Sequence, residues 1–197
     1  MKNVPPAAFI SWEPDKTKMK KICVYCGSSD GVRPEYRKAA DALGRAMVEK
    51  GMDLVYGGAS VGLMGKLADT VLNGGGRVTG VIPESLVDRE ISHPGLTDLV
   101  IVGSMHERKS MMADLSDAFI ALPGGIGTMD EFFEILTWAH LGIHNKSCGL
   151  LNVAGYYDHL KAFIRHGVNQ GFIRIETAAK LIIKEDPKVL LDLVLDS

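Results

Sequence analysis

Residues 118–141 of the chain read AFIALPGGIGTMDEFFEILTWAHL. The stretch begins with an apolar run at 118–122, which has the length of a short buried strand. Gly124, Gly125 and Gly127 follow, and a glycine cluster of this kind marks a loop whose backbone closely approaches a neighbouring group. Residues from Met129 to about 141 then have the character of a helix. We therefore predict a strand, a glycine-rich loop and a helix in direct succession.

The same alternation of short apolar runs with amphipathic stretches extends over the chain from Lys21 onward. It predicts strands at residues 22–25, 53–56, 77–82, 99–102, 118–122 and 149–153. It predicts helices at residues 34–50, 62–73, 105–116, 129–141, 156–169 and 187–195, with a further short apolar run at 181–183. Strands joined through helices require crossover connections, so we expect an α/β fold with a doubly wound, mainly parallel sheet flanked by helices on both faces. Such sheets bind ligands beyond the carboxyl ends of their strands, where three of the glycine clusters fall.

The composition is that of a globular domain. The chain has 197 residues, of which 46% are hydrophobic. Its net charge of −2 gives no positive electrostatic field that would attract nucleic acid. Residues 1–20 contain three prolines and no apolar periodicity, so we expect a flexible N-terminal arm before a single domain over 21–197. No apolar run reaches the ~18 to 20 residues of a membrane span. With no apolar leader and three cysteines, the expected setting is the reducing cytoplasm.

Three familiar motifs are nearly matched and are rejected. Gly65-Lys66 resembles the end of a P-loop, but the first glycine and the final hydroxyl residue of that motif are missing. Cys23 and Cys26 have redox-motif spacing, yet Cys23 lies inside a predicted strand, where a core role is the better interpretation. His140 and His144 are four residues apart without the rest of a metal motif. We therefore predict no metal site and no redox centre.

The stretch 123–131, PGGIGTMDE, is the most specific functional feature. Its glycines remove Cβ atoms from a loop that enters a helix, so that backbone N–H groups and the helix N-terminus can face an anion. The Thr128 hydroxyl adds a donor. We predict that Gly124, Gly125, Gly127 and Thr128 bind a phosphate, the alternative being a tight turn that would rarely need three glycines.

Glu131 has two interpretations. Thr128-x-x-Glu131 matches a capping box, in which the threonine is the N-cap and the glutamate bonds back to its amide. A carboxylate within one turn of a bound phosphate, in contrast, needs a positive centre nearby. A ribosyl ring that develops oxocarbenium charge is such a centre. Spacing alone favours the cap, and the adjacent anion site favours catalysis.

Further segments are expected at the same edge of the sheet. In the stretch 105–109, MHERK, Arg108 can bind phosphate or polarise a leaving group, and Lys109 adds a positive charge. The alternative is that both residues simply lie on a solvent-exposed face of a helix. The loops GSS at 27–29 and YGGASVGLMG at 56–65 either allow close approach or cap the helices that follow them. Several such loops along one edge favour a nucleotide pocket. We therefore predict that Ser28, Gly58, Met105 and Lys109 contribute to nucleotide binding.

These residues resemble the LONELY GUY family of cytokinin riboside 5′-monophosphate phosphoribohydrolases, many of which carry the older label of lysine decarboxylases. The likeness covers nearly the whole chain from Lys21, and its most specific parts are PGGIGTMDE and MHERK. The CGSS and GLMG segments are also similar. Ala59 departs from the family pattern, which often has a third consecutive glycine at this position. The methyl group of Ala59 leaves less room for a ligand to approach the backbone there.

The resemblance implies a Rossmann-like fold, and a homodimer in which the partner subunit completes the pocket. It implies that Arg108 and Glu131 are catalytic, with the phosphate loop at Gly124, Gly125, Gly127 and Thr128. The implied reaction hydrolyses the N-glycosidic bond of an adenosine 5′-monophosphate derivative, a cytokinin riboside 5′-monophosphate or AMP, to the free base and ribose 5-phosphate. No cofactor is expected.

A non-catalytic carrier of a nucleotide or of the molybdenum cofactor, built on the same fold, is the alternative function. Arg108 and Glu131 together argue against it, because phosphate binding alone does not need a carboxylate.

Overall fold

The structure, a computed structural model, describes residues 20–87 and 92–196. The strands are β1 (Lys21–Tyr25), β2 (Asp53–Tyr56), β3 (Val78–Pro83), β4 (Asp98–Val102), β5 (Ala118–Ala121), β6 (Cys148–Leu151) and β7 (Leu181–Lys184). The helices are α1 (Pro34–Glu49), α2 (Gly62–Asn73), α3 (Glu84–Val87), α4 (Met105–Asp114), α5 (Ile126–Leu141), α6 (Asp158–Asn169), α7 (Ile175–Ala179) and α8 (Pro187–Leu195). The predicted N-terminal arm, apart from Lys20, lies outside the described residues.

The strands form one sheet in the order β4-β3-β2-β1-β5-β6-β7, and every neighbouring pair is parallel. The order runs outward from β1 in one direction as far as β4 and then returns to β5 on the other side of β1. The chain therefore changes direction between β1 and β5, which is the point where doubly wound sheets open a crevice for ligands. The prediction of a doubly wound parallel sheet is confirmed.

Both faces of the sheet are buried over its five central strands, whereas the edge strands β4 and β7 are partly exposed. Ile22 and Val24 of β1 belong to the core beneath α1, α2 and α8, and Cys23 and Tyr25 belong to the core beneath α4 and α5. Burial on both faces explains why the strands read as continuous apolar runs rather than alternating ones. Among the described residues, no helix combines the length and the hydropathy needed to cross a membrane.

Several boundaries differ from the prediction. Helix α5 begins at Ile126 rather than at Met129, and the apolar run at 181–183 is the edge strand β7, paired with β6. The short helices α3 and α7 were not predicted, because four or five residues are too few to show a helical period. The start of α5 matters most, since it changes which residues stand at the helix N-terminus.

Candidate active site

A cavity of about 270 Å³ opens at the carboxyl end of β1, beside the change of direction in the sheet. Its walls come from the loops after β1 and β2, the first turn of α4 and the first two turns of α5. The predicted site residues that line it are Ser28, Met105, Arg108, Gly125, Gly127, Thr128 and Glu131. The structure therefore brings together residues from three separated segments of the chain.

The first turn of α5 faces this cavity. Gly125 is the N-cap, and no side chain among the described residues caps the helix there. The first N–H groups of a helix have no acceptor within the helix, so those of α5 depend on an outside partner. Apart from the chain neighbours and the backbone of α5 itself, no described atom lies within 4 Å of a Cβ built on Gly125 or Gly127. Internal packing thus does not explain glycine at either position, and close approach of a ligand would.

The capping-box interpretation of Glu131 is wrong. Thr128 is the third residue of α5 and not its N-cap, because the helix extends back to Ile126. Glycine is tolerated at an N-cap, so the helix can begin directly after Gly125. Glu131 consequently lies in the second turn, where its side chain is 14% exposed and lines the cavity. A side-chain cap stands instead at α4, where Ser104 Oγ accepts from the Glu107 N–H at 3.1 Å and the Glu107 carboxylate accepts from the Gly103 N–H at 2.8 Å.

Arg108 is buried, with 5% of its surface exposed, and its guanidinium is held in one orientation. Its Nε donates to the carbonyl of Val81 at 3.0 Å, and its Nη2 donates to the carbonyl of Gly57 at 3.1 Å. The same Nη2 lies 3.9 Å from Oε1 of Glu131, within the range of an ion pair. Two backbone carbonyls therefore hold a positive charge beside the carboxylate.

Gly57 was missed in the sequence, where Gly58 was the predicted site residue. Gly57 lines the cavity and contacts Arg108, whereas Gly58 adopts a φ of +87° and accepts a hydrogen bond from the His93 N–H. Gly58 therefore shapes the turn that presents Gly57. The two glycines are adjacent in the sequence, and only the direction of the chain after β2 distinguishes them.

Lys109 stands behind the cavity wall. Its Nζ lies 2.7 Å from Oδ2 of Asp130 and 2.8 Å from Oε2 of Glu134, so it ties α4 to α5. Burial alone would lower the pKa of Lys109, but the bonds to the two carboxylates outweigh it and raise that pKa. Lys109 does not line the cavity, and its part in nucleotide binding stays a prediction.

The loop after β1 joins two helix N-termini. The N–H of Gly27 donates to the carbonyl of Pro123 at 3.1 Å, and its own carbonyl accepts from the N–H groups of Leu63 and Met64 at 3.1 and 3.3 Å. The first turn of α2 is thus bound to protein. A Cβ on Gly124 would lie 2.1 Å from the Thr128 Oγ1, so glycine there lets the loop pack rather than admitting a ligand.

The remaining cysteines and histidines take structural positions. All three cysteines are free and buried. Burial raises the pKa of the Cys26 thiol, and the charge of Glu131 raises it further. Cys26 therefore lines the cavity as a neutral thiol. His140 Nδ1 bonds Thr177 Oγ1 at 2.7 Å, whereas His144 Nε2 bonds the carbonyl of Ile135 at 3.0 Å. In residues 20–87 and 92–196, no three His, Cys, Asp or Glu side chains converge as metal ligands would.

Comparison with solved structures agrees with this fold. The chain superposes on the molybdenum cofactor binding protein of Rippkaea orientalis with a TM-score of 0.69 and 21% identity, covering 91% of this chain and 98% of that one. The molybdenum cofactor carrier protein of Chlamydomonas reinhardtii gives a TM-score of 0.69 at 19% identity, covering 91% of this chain and 100% of that one. At these identities the likeness shows the fold alone.

Comparison with protein sequences gives the family. Residues 64–194 match the family model described as "Possible lysine decarboxylase". A cytokinin riboside 5′-monophosphate phosphoribohydrolase of Rhodococcoides fascians is 50% identical over 182 residues, covering 92% of this chain and 91% of the relative. An Arabidopsis thaliana enzyme of the same name is 53% identical over 161 residues, covering 82% of this chain and 74% of the relative. The predicted resemblance to enzymes that cleave N-glycosyl bonds is thereby confirmed, and the chain belongs to the cytokinin riboside 5′-monophosphate phosphoribohydrolase family.

Proposed function

We propose that this protein hydrolyses the N-glycosidic bond of adenosine 5′-monophosphate derivatives, releasing the free base and ribose 5-phosphate. One observation carries the proposal: Glu131 and Arg108, from different helices, lie 3.9 Å apart in the same cavity as the uncapped N-terminus of α5. A phosphate held at that N-terminus brings the rest of a nucleotide within reach of the carboxylate.

The first step is the binding of the phosphate. The N–H groups of the first turn of α5 and the partial positive charge of the helix end attract an anion, and Gly125 and Gly127 let it approach the backbone. The Thr128 hydroxyl stands at the same turn and lines the cavity. Together these groups anchor the 5′ end of the substrate, and Ser28 lines the same cavity.

The second step is the cleavage of the glycosidic bond. As the base leaves, positive charge develops on the ribose, and the carboxylate of Glu131 stabilises it or activates the attacking water. Arg108 has its Nε and Nη2 bound to carbonyls, so its guanidinium is not free to follow a substrate. Arg108 instead holds Glu131 in place, and its fixed positive charge polarises the leaving group.

The substrate class follows from the cavity and from the relatives. The named relatives act on cytokinin riboside 5′-monophosphates. Met64, Leu86 and Met105 contribute flexible apolar side chains to the cavity, which suit a base that carries an apolar N6 substituent. We propose that both N6-substituted nucleotides and AMP are cleaved.

We also infer a homodimer with shared active sites, in the reducing cytoplasm. Ile126, between the cavity-lining Gly125 and Gly127, is 90% exposed, and Met105, which lines the cavity, is 41% exposed. A second subunit that covers both side chains would bury apolar surface and complete the pocket. Free, buried cysteines suit a reducing compartment. In sedimentation experiments, the wild type should behave as a dimer and Ile126→Asp as a monomer. A monomeric wild type would contradict the proposed dimer.

Incubation of the purified protein with AMP and with N6-isopentenyl-AMP tests the activity. Chromatography should detect adenine or isopentenyladenine together with ribose 5-phosphate, and Glu131→Gln should release neither base. Absence of free base at high enzyme concentration with both substrates would refute the proposal. Tight binding of a pterin nucleotide without turnover would favour the carrier function instead.

A further inference from the structure

The loop after β6 contacts the glycine-rich loop after β5. The two strands are neighbours in the sheet, so the loops at their carboxyl ends lie side by side. Tyr156 donates its hydroxyl to the carbonyl of Gly124 at 2.6 Å. Tyr157 donates its hydroxyl to the carbonyl of Leu122, also at 2.6 Å. Consecutive tyrosines therefore bind the two carbonyls that flank Pro123.

Three successive carbonyls of the glycine-rich loop therefore accept hydrogen bonds from residues outside that loop. Tyr157 binds the first, at Leu122, the Gly27 N–H binds the second, at Pro123, and Tyr156 binds the third, at Gly124. The first two bonds anchor the end of β5 and the loop after β1. The third acts on the peptide group that enters α5.

The peptide between Gly124 and Gly125 is the one that most needs such a bond. It has glycine on both sides, so no Cβ restricts its rotation. Because a trans peptide is planar, the direction of the Gly124 carbonyl also sets the direction of the Gly125 N–H. The Tyr156 hydroxyl therefore fixes a donor of a residue that lines the cavity.

Tyr156 is itself held in place. Its ring meets Tyr36 edge-on at 5.6 Å between ring centroids and Tyr157 at 5.0 Å. The turn that carries it is fixed by the buried Asn152, whose Oδ1 accepts from the Tyr157 N–H at 2.7 Å and whose Nδ2 donates to Asp158 at 2.8 Å. The hydroxyl is therefore presented by a rigid turn rather than by a free surface side chain.

We propose that Tyr156 is a positioning residue for phosphate binding, which acts by fixing the Gly124–Gly125 peptide at the entrance to α5. The inference rests on the proposed function, since it assigns the phosphate of the substrate to this helix end. Tyr156 does not line the cavity and contacts no reacting group. Its removal should therefore weaken binding of the phosphate end and leave the chemical step unchanged.

The variant Tyr156→Phe removes the hydroxyl and keeps the ring. The KM for AMP should rise roughly threefold to tenfold, the effect of one lost hydrogen bond, with kcat changed by less than about twofold. In inhibition assays, the inhibition constant of ribose 5-phosphate should rise by the same factor and that of adenine should stay constant. Equal weakening of both inhibitors, or no change in either, would overturn the proposal.

Tyr157→Phe is the matched control. It removes a buried hydroxyl from the carbonyl of Leu122, so thermal stability should fall while the ratio of the two inhibition constants stays at the wild-type value. A selective loss of ribose 5-phosphate binding in Tyr157→Phe, with none in Tyr156→Phe, would contradict the positioning role. Wild-type hydrolysis of AMP is measured first, so that failure of the proposed function is distinguished from failure of this inference.

Discussion

Gly57 passes so close to Arg108 that a Cβ built on it would lie 2.2 Å from Nη2 of the guanidinium. The same residue accepts a hydrogen bond from that nitrogen through its carbonyl. The glycine therefore does two things for the arginine, because it leaves room for the side chain and also fixes its direction. The position of the positive charge beside Glu131 depends on a residue without a side chain.

Gly57→Ala should displace the guanidinium from Glu131. A methyl group at this place would collide first with the Arg108 guanidinium, which two carbonyls hold in place, so catalytic geometry should be lost. We expect kcat/KM for AMP to fall on the order of 10²-fold, as misplacement by about 1 Å can cause. Gly95→Ala is the control, because a Cβ there makes only an ordinary contact with His93 at 3.4 Å. Wild-type activity in Gly57→Ala would contradict the role of Arg108.

Glu131→Gln should abolish turnover without unfolding the protein. The amide keeps the shape of the side chain and removes its charge, so we expect a loss of at least about 10²-fold in kcat. Because Thr128 is not the N-cap of α5, no helix cap is removed. Circular dichroism should show a melting curve close to that of the wild type. A variant that fails to fold would mean that Glu131 is mainly structural.

Lys109→Gln should loosen the contact between α4 and α5. The ammonium is 14% exposed and bonds both Asp130 and Glu134, so we expect a loss of about 1–3 kcal/mol in the free energy of unfolding. Should Lys109 bind the phosphate instead, the affinity for ribose 5-phosphate would fall while the free energy of unfolding stayed near the wild-type value. Denaturation in urea and inhibition assays separate the two outcomes.

The contribution of Lys109 should also depend on pH. The pKa of Lys109 is raised in the folded protein, so its stabilising effect is complete below the pKa of an unfolded lysine, about 10.4. The effect is lost as the pH rises through the folded pKa. The difference in stability between wild type and Lys109→Gln should therefore be constant near neutrality and shrink above about pH 10.

Asp41→Asn should show the opposite dependence. Bonds from Arg45 and Lys66 hold the pKa of Asp41 well below its usual range, and Thr70 adds a hydrogen bond between α1 and α2. This stabilisation is present above the unfolded pKa, about 3.9, and is lost as the pH falls below it. At pH 7 the variant should be less stable by about 1 kcal/mol. Equal stability of both proteins at pH 7 would contradict the prediction.

Much of the fold could be predicted because its signals are local. The apolar runs that form β1, β2 and β5 are short and bounded by glycine or turn residues, and their length identifies them as strands. The start of α5 could not be predicted in the same way. Thr128 is a good N-cap by residue type, yet the helix begins at Ile126, because glycine at 125 is also an acceptable N-cap.

Of the ten predicted site residues, seven line the cavity, whereas Gly58, Lys109 and Gly124 do not. Residue types and glycine spacing indicated Arg108, Glu131, Gly125 and Gly127, and all four line one cavity. The pairing of Lys109 with the carboxylates of α5 had no visible signal, because it depends on how two helices pack on the same face of the sheet. The hydroxyl of Tyr156 was equally hidden, since it reaches a carbonyl 32 residues away.

The sequence by itself determined the doubly wound sheet and the edge of it at which the cavity opens, because periodicity and glycine clusters are properties of neighbouring residues. Only the tertiary structure decided which donors are already bound to protein. The carbonyl of Gly27 takes N–H groups of α2, and the carbonyls of Val81 and Gly57 take two donors of Arg108, whereas the first turn of α5 is left uncapped beside Glu131. Such contacts depend on the order of the strands in the sheet, which no spacing along the chain encodes.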